Sequence, residues 1–223
     1  MTRSLEATNR EERIQELQRS GGEIRFLSRL LGAPPDAALL ADAHAVGLVE
    51  DGWEARVEQY RVEYTRLFSC PGPNFIPVNQ SVYTDILKME PSAPDPSGCG
   101  MAFPGGELRG YLGGTSCPAL VRWYTEAAFT AYDGARQMPD HISLELDFAA
   151  HLCLAEAHAL VIEAQDEAAA YRDLLFKFRQ NFLELWLASF SQCVASNSVS
   201  SLYRRVGARL LELPTSLDRY NPG

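Results

Sequence analysis

Lysine is almost missing from this chain. Of its 20 basic residues only Lys88 and Lys177 are lysines; the other 18 are arginines scattered from Arg3 to Arg219. With 29 acidic residues and a formal charge of −9, the chain lacks the basic footprint that phosphate backbones require. That excludes nucleic acid as a partner, and an acidic protein attracts positively charged ligands instead. No apolar run approaches the roughly 20 residues of a membrane helix, which excludes a membrane span. Residues Met1 to Arg19 are polar and charged, so they do not read as a signal peptide. The five cysteines (70, 99, 117, 153, 193) lie far apart without a Cys-x-x-Cys pair. That pattern fits reduced thiols in a cytoplasmic protein and not a disulfide framework.

Catalytic signatures are missing as well. There is no His-Glu-x-x-His and no Gly-x-Ser-x-Gly, and no Gly-Lys-Ser/Thr follows the glycine pairs Gly105-Gly106 and Gly113-Gly114. Di-iron bundles place a His three residues after a Glu, whereas here Phe148 follows Glu145 and Ala159 follows Glu156 at that spacing. Cys153 falls on an apolar helix line, where a buried, inert thiol is expected. No catalytic residue, metal or cofactor is assigned from these motifs.

What is present is helical periodicity. The 223 residues suffice for one sizeable core, and 46% hydrophobic with 22% charged residues is ordinary for a globular protein. Thr8 to Leu31 reads as a helix with Ile14, Leu17, Ile24, Leu27 and Leu31 inward; Thr8 and Glu11 have capping-box spacing, and Gly21-Gly22 marks a potential break. Gly32-Ala-Pro-Pro35 ends it, and Asp36 caps a short helix to about Val46. Further helices are expected over Trp53–Phe68, Ser81–Leu87, Leu120–Ala131, His141 to about Ala164, Ala168 to about Val194, and Val199–Leu213. Met89 to Pro118 holds seven of the 16 glycines and five of the 13 prolines. It reads as a hinge loop over about 89–117, between an N-terminal half (about 8–88) and a C-terminal half (about 118–213). No segment alternates as a strand does. The fold class is all-α, a single helical bundle domain. A long hinge permits exchange of helices between two copies, so monomer and domain-swapped dimer are both expected states.

One stretch stands out, Met138-Pro-Asp-His-Ile-Ser-Leu-Glu-Leu-Asp-Phe148. Pro139 favours a helix start just after it. Asp140 is placed to cap the amides of Ile142 or Ser143. Two interleaved apolar lines (Ile142/Leu146/Ala149/Cys153 and Leu144/Phe148/Leu152/Ala155) mark a central buried helix. Asp140, His141 and Glu145 form a polar cluster at its mouth. Asp140 reads either as a helix cap or as a ligand group, and Glu145 either as the partner of an internal arginine or as part of that ligand site. Asp140→Asn separates the readings, because Asn still caps but carries no charge. The same helix carries His141, His151 and His158 among Glu145, Asp147 and Glu156. This keeps open the alternative of a helical metal-dependent enzyme, although His151 and His158 alone make half a site.

Three segments resemble the TorD/DmsD/NarJ family of cytoplasmic molybdoenzyme maturation chaperones. They are Glu63-Tyr-Thr-Arg-Leu-Phe68, leading through a Pro/Gly loop to Ser81-Val-Tyr-Thr-Asp85; Pro139-Asp-His-Ile-Ser-Leu-Glu-Leu-Asp-Phe148; and Phe182-Leu-Glu-Leu-Trp186 with Phe190, then Leu202-Tyr203. The middle segment is the specific one, and together they span Trp53 to Leu213. The resemblance implies an all-helical TorD-like fold and a role without turnover. Such a protein binds the N-terminal leader, often a twin-arginine signal peptide, and the apo form of a molybdopterin oxidoreductase catalytic subunit until its cofactor is inserted. It further implies peptide-binding residues at Pro139, Asp140 and His141, with weak GTP binding as a regulatory extra; Glu145, about a turn into the helix, adds a second carboxylate beside an apolar groove, as a twin-arginine ligand requires. The family often has an aromatic two residues before the serine of Ser81-Val-Tyr; here that position is Asn79, and Phe75 or Tyr83 is the candidate replacement. Asn181 also departs from the family's usual His. These departures imply a divergent branch of the family.

Overall fold

A computed structural model describes residues 2–89, 106–131 and 137–218, with side chains over 8–88, 106–131 and 137–213. The nine α-helices among these residues are α1 (Thr2–Gly32), α2 (Ala37–Ala45), α3 (Val57–Tyr64), α4 (Gln80–Thr84), α5 (Ser116–Glu126), α6 (Ile142–Val161), α7 (Gln165–Phe178), α8 (Glu184–Asn197) and α9 (Ser201–Asp218). Most of the expected hinge, residues 90–105, lies outside the described residues. What flanks it is a small antiparallel pair, β1 (Leu87–Met89) and β2 (Gly106–Leu108), in the register Leu87↔Leu108. Three-residue strands are too short for alternation to register in a sequence.

Helix α6 is the axis. Its two apolar lines are buried except at half-buried Ala155, with Ile142, Leu146, Phe148, Ala149, Leu152 and Cys153 fully enclosed. Helix α1 lies along it without a break at the paired glycines. A Cβ on Gly21 would stand 2.8 Å from Leu154 Cγ, so glycine here allows α1 close against α6. Nor does Thr8 cap α1: the helix already runs from Thr2.

Polar links lock α1 to α6. Arg25 Nε donates to Asp147 (3.1 Å), and Ser28 Oγ donates to the Ser143 carbonyl (2.7 Å). Arg13 and Arg172 both donate to the Glu156 carboxylate at 2.9 Å. Glu156 is wholly buried, and a buried carboxylate persists only when paired and hydrogen-bonded.

Asp36 caps α2, accepting from the Leu39 amide at 2.7 Å. The segment expected as one helix over Trp53–Phe68 is instead a 3₁₀ turn (Trp53–Arg56), α3 and a π turn (Thr65–Ser69). Another π turn, Arg179–Leu183, joins α7 to α8 in one helical stretch. The wider π turns leave Leu67, Phe68, Phe182 and Leu183 buried. One hydrophobic cluster runs from Leu17 through α6 to Leu213. It contains edge-on ring contacts such as Phe148–Phe178 (4.7 Å) and Phe68–Tyr203 (5.4 Å).

Candidate functional site

The proline-rich segment after the first π turn folds back on the start of α6. Asn79 and His141 form an antiparallel bridge, with Gln80 N donating to Asp140 O (2.9 Å) and Ile142 N to Val78 O (2.8 Å). Residues 138–141 form a tight turn, closed by His141 N on Met138 O at 3.0 Å. The turn aims the Asp140 side chain away from α6 and at the loop. Asp140 therefore does not cap α6. Its carboxylate accepts from the Ser81 amide and from Asn79 Nδ2, each at 3.0 Å. Burial alone would raise the Asp140 pKa, but the hydrogen bonds from Ser81, the neighbouring Cys117 and Asn79 hold it below the ordinary carboxylate value. The Cys117 thiol, by burial and by the nearby Asp140 charge, is pushed up to about 12.

His141 is the cap. Its backbone is extended, and its Nδ1 accepts from the Ser143 amide at 3.2 Å. Burial lowers its pKa to about 4, against the opposing pull of Asp140. The ring is neutral at pH 7, as an acceptor at a helix N-terminus must be.

Glu145 takes the indole Nε1–H of Trp186 on Oε2 at 3.1 Å, so its partner is a tryptophan and not an arginine. Burial drives its pKa well above the ordinary value; the Trp186 bond opposes this and Asp140 adds to it. Burial thus favours its uncharged form. Its Oε1 and the Oε1 of Gln80 are buried without a hydrogen-bond partner.

Tyr83 closes the outer side. Its ring lies 5.1 Å from that of Trp186, and its hydroxyl donates to Pro77 O at 2.9 Å. On the far side Tyr124 donates to Pro139 O at 2.9 Å. Asp85 Oδ2 accepts from the Ser116 amide (2.9 Å) and hydroxyl (3.0 Å), capping α5 from a distant segment. A Cβ on Gly114 would fall 2.0 Å from that oxygen, so only glycine fits. Gln137 ties the turn to the end of α1 through Gly32 O (2.6 Å). A cleft of about 380 Å³ opens there, lined by Arg25, Ser28, Gly32, Asp36, Gln137 and Ser143.

Six of the seven candidate residues thus meet: Asn79, Tyr83, Pro139, Asp140, His141 and Glu145. Phe75 does not. It sits half-buried in the turn closed by its amide on Gly72 O, with no ring contact among the described residues. The cluster is also no open mouth, since Asp140 and Glu145 are fully enclosed and His141 is 8% exposed. Sequence reasoning missed Trp186 as the partner of Glu145 and Asp85 as a remote cap, although both lie within the motif segments.

The metal alternative fails on geometry. His141 caps α6, His151 packs against the rings of Phe129 and Phe148, and His158 faces outward. Asp147 and Glu156 belong to arginines. Among the described residues no three His, Cys, Asp or Glu side chains converge, and no helix is long and apolar enough to cross a membrane.

The helical architecture is that of a redox enzyme maturation protein from Archaeoglobus fulgidus. That solved structure matches with a TM-score of 0.53 at 21% identity, over 87% of this chain and 93% of the other. The family follows from the sequence itself: the model of the nitrate reductase delta subunit family matches residues 33–192, and the chain belongs to that family. A curated relative, the selenate reductase assembly chaperone protein of Thauera selenatis, is 34% identical over 94 residues, which is 42% of this chain. The match covers 47% of that relative, so about half its length is spanned.

Proposed function

We propose that this protein is a non-catalytic cytoplasmic chaperone for a molybdopterin oxidoreductase catalytic subunit. It holds the apo subunit by its N-terminal leader, a twin-arginine signal peptide, until cofactor insertion. The supporting observation is that all three motif segments meet at one junction, around Asp140, in a chain of the nitrate reductase delta subunit family.

The leader would bind where residues 78–80 now lie. That segment is joined to 140–142 by two backbone hydrogen bonds, which an extended peptide can replace by strand addition. With the loop lifted, a leader guanidinium takes over the positions of the Ser81 and Asn79 donors on Asp140, the bidentate pairing that arginine favours. Glu145, whose Oε1 has no partner, becomes a second acceptor once a guanidinium brought beside it favours its charged form. Pro139 and Tyr83 supply apolar surface for the rest of the leader.

The test has two arms. Purified from its host, the protein should carry along a molybdopterin oxidoreductase subunit; a preparation free of any such subunit overturns the chaperone reading. In titration, the subunit's leader should bind at least about tenfold tighter than an Arg-Arg→Ala-Ala leader. Equal binding removes the twin-arginine part alone.

A further inference from the structure

A groove along α3 is positively charged although the chain as a whole is not. Two clefts, of about 560 Å³ and about 540 Å³, share a wall made by Glu58, Val62 and Arg66. Together they run from Val199 and Arg204 at the start of α9 to the Pro71–Asn74 loop.

The charges along this groove do not cancel. Each lining carboxylate is engaged. Glu50 pairs with Arg205 (3.3 Å) and Glu58 with Arg61 (3.4 Å). Glu63 is buried and caps α9 through the amides of Val199 (2.6 Å) and Ser200 (3.0 Å). Three arginines, by contrast, donate to neutral backbone carbonyls. Arg56 bonds Asp51 O (3.0 Å), Arg204 bonds Val199 O (3.0 Å) and Arg66 bonds Asn197 O (3.0 Å). Of the three, only Arg66 forms an ion pair among the described residues, with Glu63 at 3.6 Å. A carbonyl orients a guanidinium without neutralising it, and Glu63, itself held by neutral amides, offsets one of the three, so Arg56 and Arg204 leave the groove a surplus of positive charge. The same cleft presents two exposed apolar side chains, Val62 (59% exposed) and Val199 (75%).

We propose that this groove binds an extended acidic-apolar peptide segment of a partner protein, with carboxylates on Arg56, Arg66 and Arg204 and apolar side chains on Val62 and Val199. All three arginines line the cleft of about 560 Å³ together with Val62 and Val199. The exposed valines offer a compact anion such as phosphate nothing, whereas they suit alternate side chains of an extended chain. The groove selects charge opposite to that of an arginine-rich leader, so it is a separate contact and does not depend on the leader reading.

The probe is a fluorescein-labelled peptide with glutamates and leucines between serine spacers, and its control has glutamine for glutamate. In fluorescence anisotropy at low ionic strength, the glutamate peptide should bind the full chain at least about tenfold tighter than the control. Added salt should weaken it. Arg204→Gln with Arg56→Gln should reduce binding at least about tenfold, while Arg209→Gln, on the far side of α9 beside Glu23, should leave it unchanged. Thermal melts check that each variant folds; should the double variant melt early, Arg204→Gln alone serves and should weaken binding severalfold. Equal affinity for the two peptides, or undiminished binding by the folded Arg204→Gln variant, overturns the proposal. So does displacement of the peptide by equimolar inorganic phosphate.

Discussion

Asp140→Asn is the substitution that tests the junction most directly. If Asp140 were a helix cap, asparagine would replace it almost without cost. In this structure the carboxylate instead receives two donors, the Ser81 amide and Asn79 Nδ2, in a fully buried setting. An asparagine offers one acceptor oxygen and an NH₂ in place of the second. Leaving one donor facing that NH₂ costs about 1–3 kcal/mol, and loss of charge assistance on the other bond adds to it. Asn79 can limit the damage by turning its own carbonyl toward the new NH₂, which keeps both bonds but makes them neutral. The expected loss is thus about 2 kcal/mol, with about 1 kcal/mol as the relaxed lower limit. Urea unfolding followed by tryptophan fluorescence would measure it.

Two further readings follow from the same variant. Asn79→Asp on the Asp140→Asn background places the carboxylate on the other side of the pair, and about half of the lost stability should return. The pH dependence has a definite sign. The folded Asp140 pKa lies below its unfolded value of about 3.9, so its stabilisation is complete above that value and is lost as pH falls through the folded pKa. The gap between wild type and Asp140→Asn should therefore narrow in that acid range. An Asn variant as stable as wild type at pH 7, or a gap indifferent to acid, would refute the assignment of Asp140 as the peg between the two segments.

Other consequences are open to measurement. Glu145→Gln should change stability by less than about 1 kcal/mol at neutral pH, since burial favours the uncharged acid and Gln keeps an acceptor for Trp186; a loss of several kcal/mol in urea would refute this. His141 has a folded pKa of about 4 against 6.5 unfolded, so stability should be constant above pH 6.5 and fall below it, by up to about 1.4 kcal/mol per pH unit from this group. His141→Asn keeps a cap and should flatten that slope; an unchanged slope would assign it elsewhere. Gly114→Ala should destabilise by more than about 2 kcal/mol, because its Cβ displaces Asp85 from α5, and a melting temperature like that of wild type would contradict the close approach.

Much of the architecture was legible as local pattern. The apolar lines of α6, the Asp36 cap and the helical run through Phe178 and Trp186 depend on residues three or four apart, and helix periodicity records that spacing directly. The all-α class could be read from the chain alone for this reason, whereas the family resemblance rested on the three motif segments. The three motif segments were visible too, but not the reason they occur together. Polar pairing at the junction is long-range: Asp140 reaches back to Asn79 and Ser81, Glu145 forward to Trp186, Glu156 back to Arg13. Nothing in the spacing of Pro139-Asp140-His141 tells whether the carboxylate or the imidazole will turn toward the helix. Tertiary structure decided that, because the turn at 138–141 aims Asp140 at the incoming loop and leaves His141 to cap α6. It also decided that the carboxylates of the supposed metal face would be claimed by arginines of α1 and α7, since a charge enclosed by packed helices must be neutralised by whichever segment the fold brings beside it.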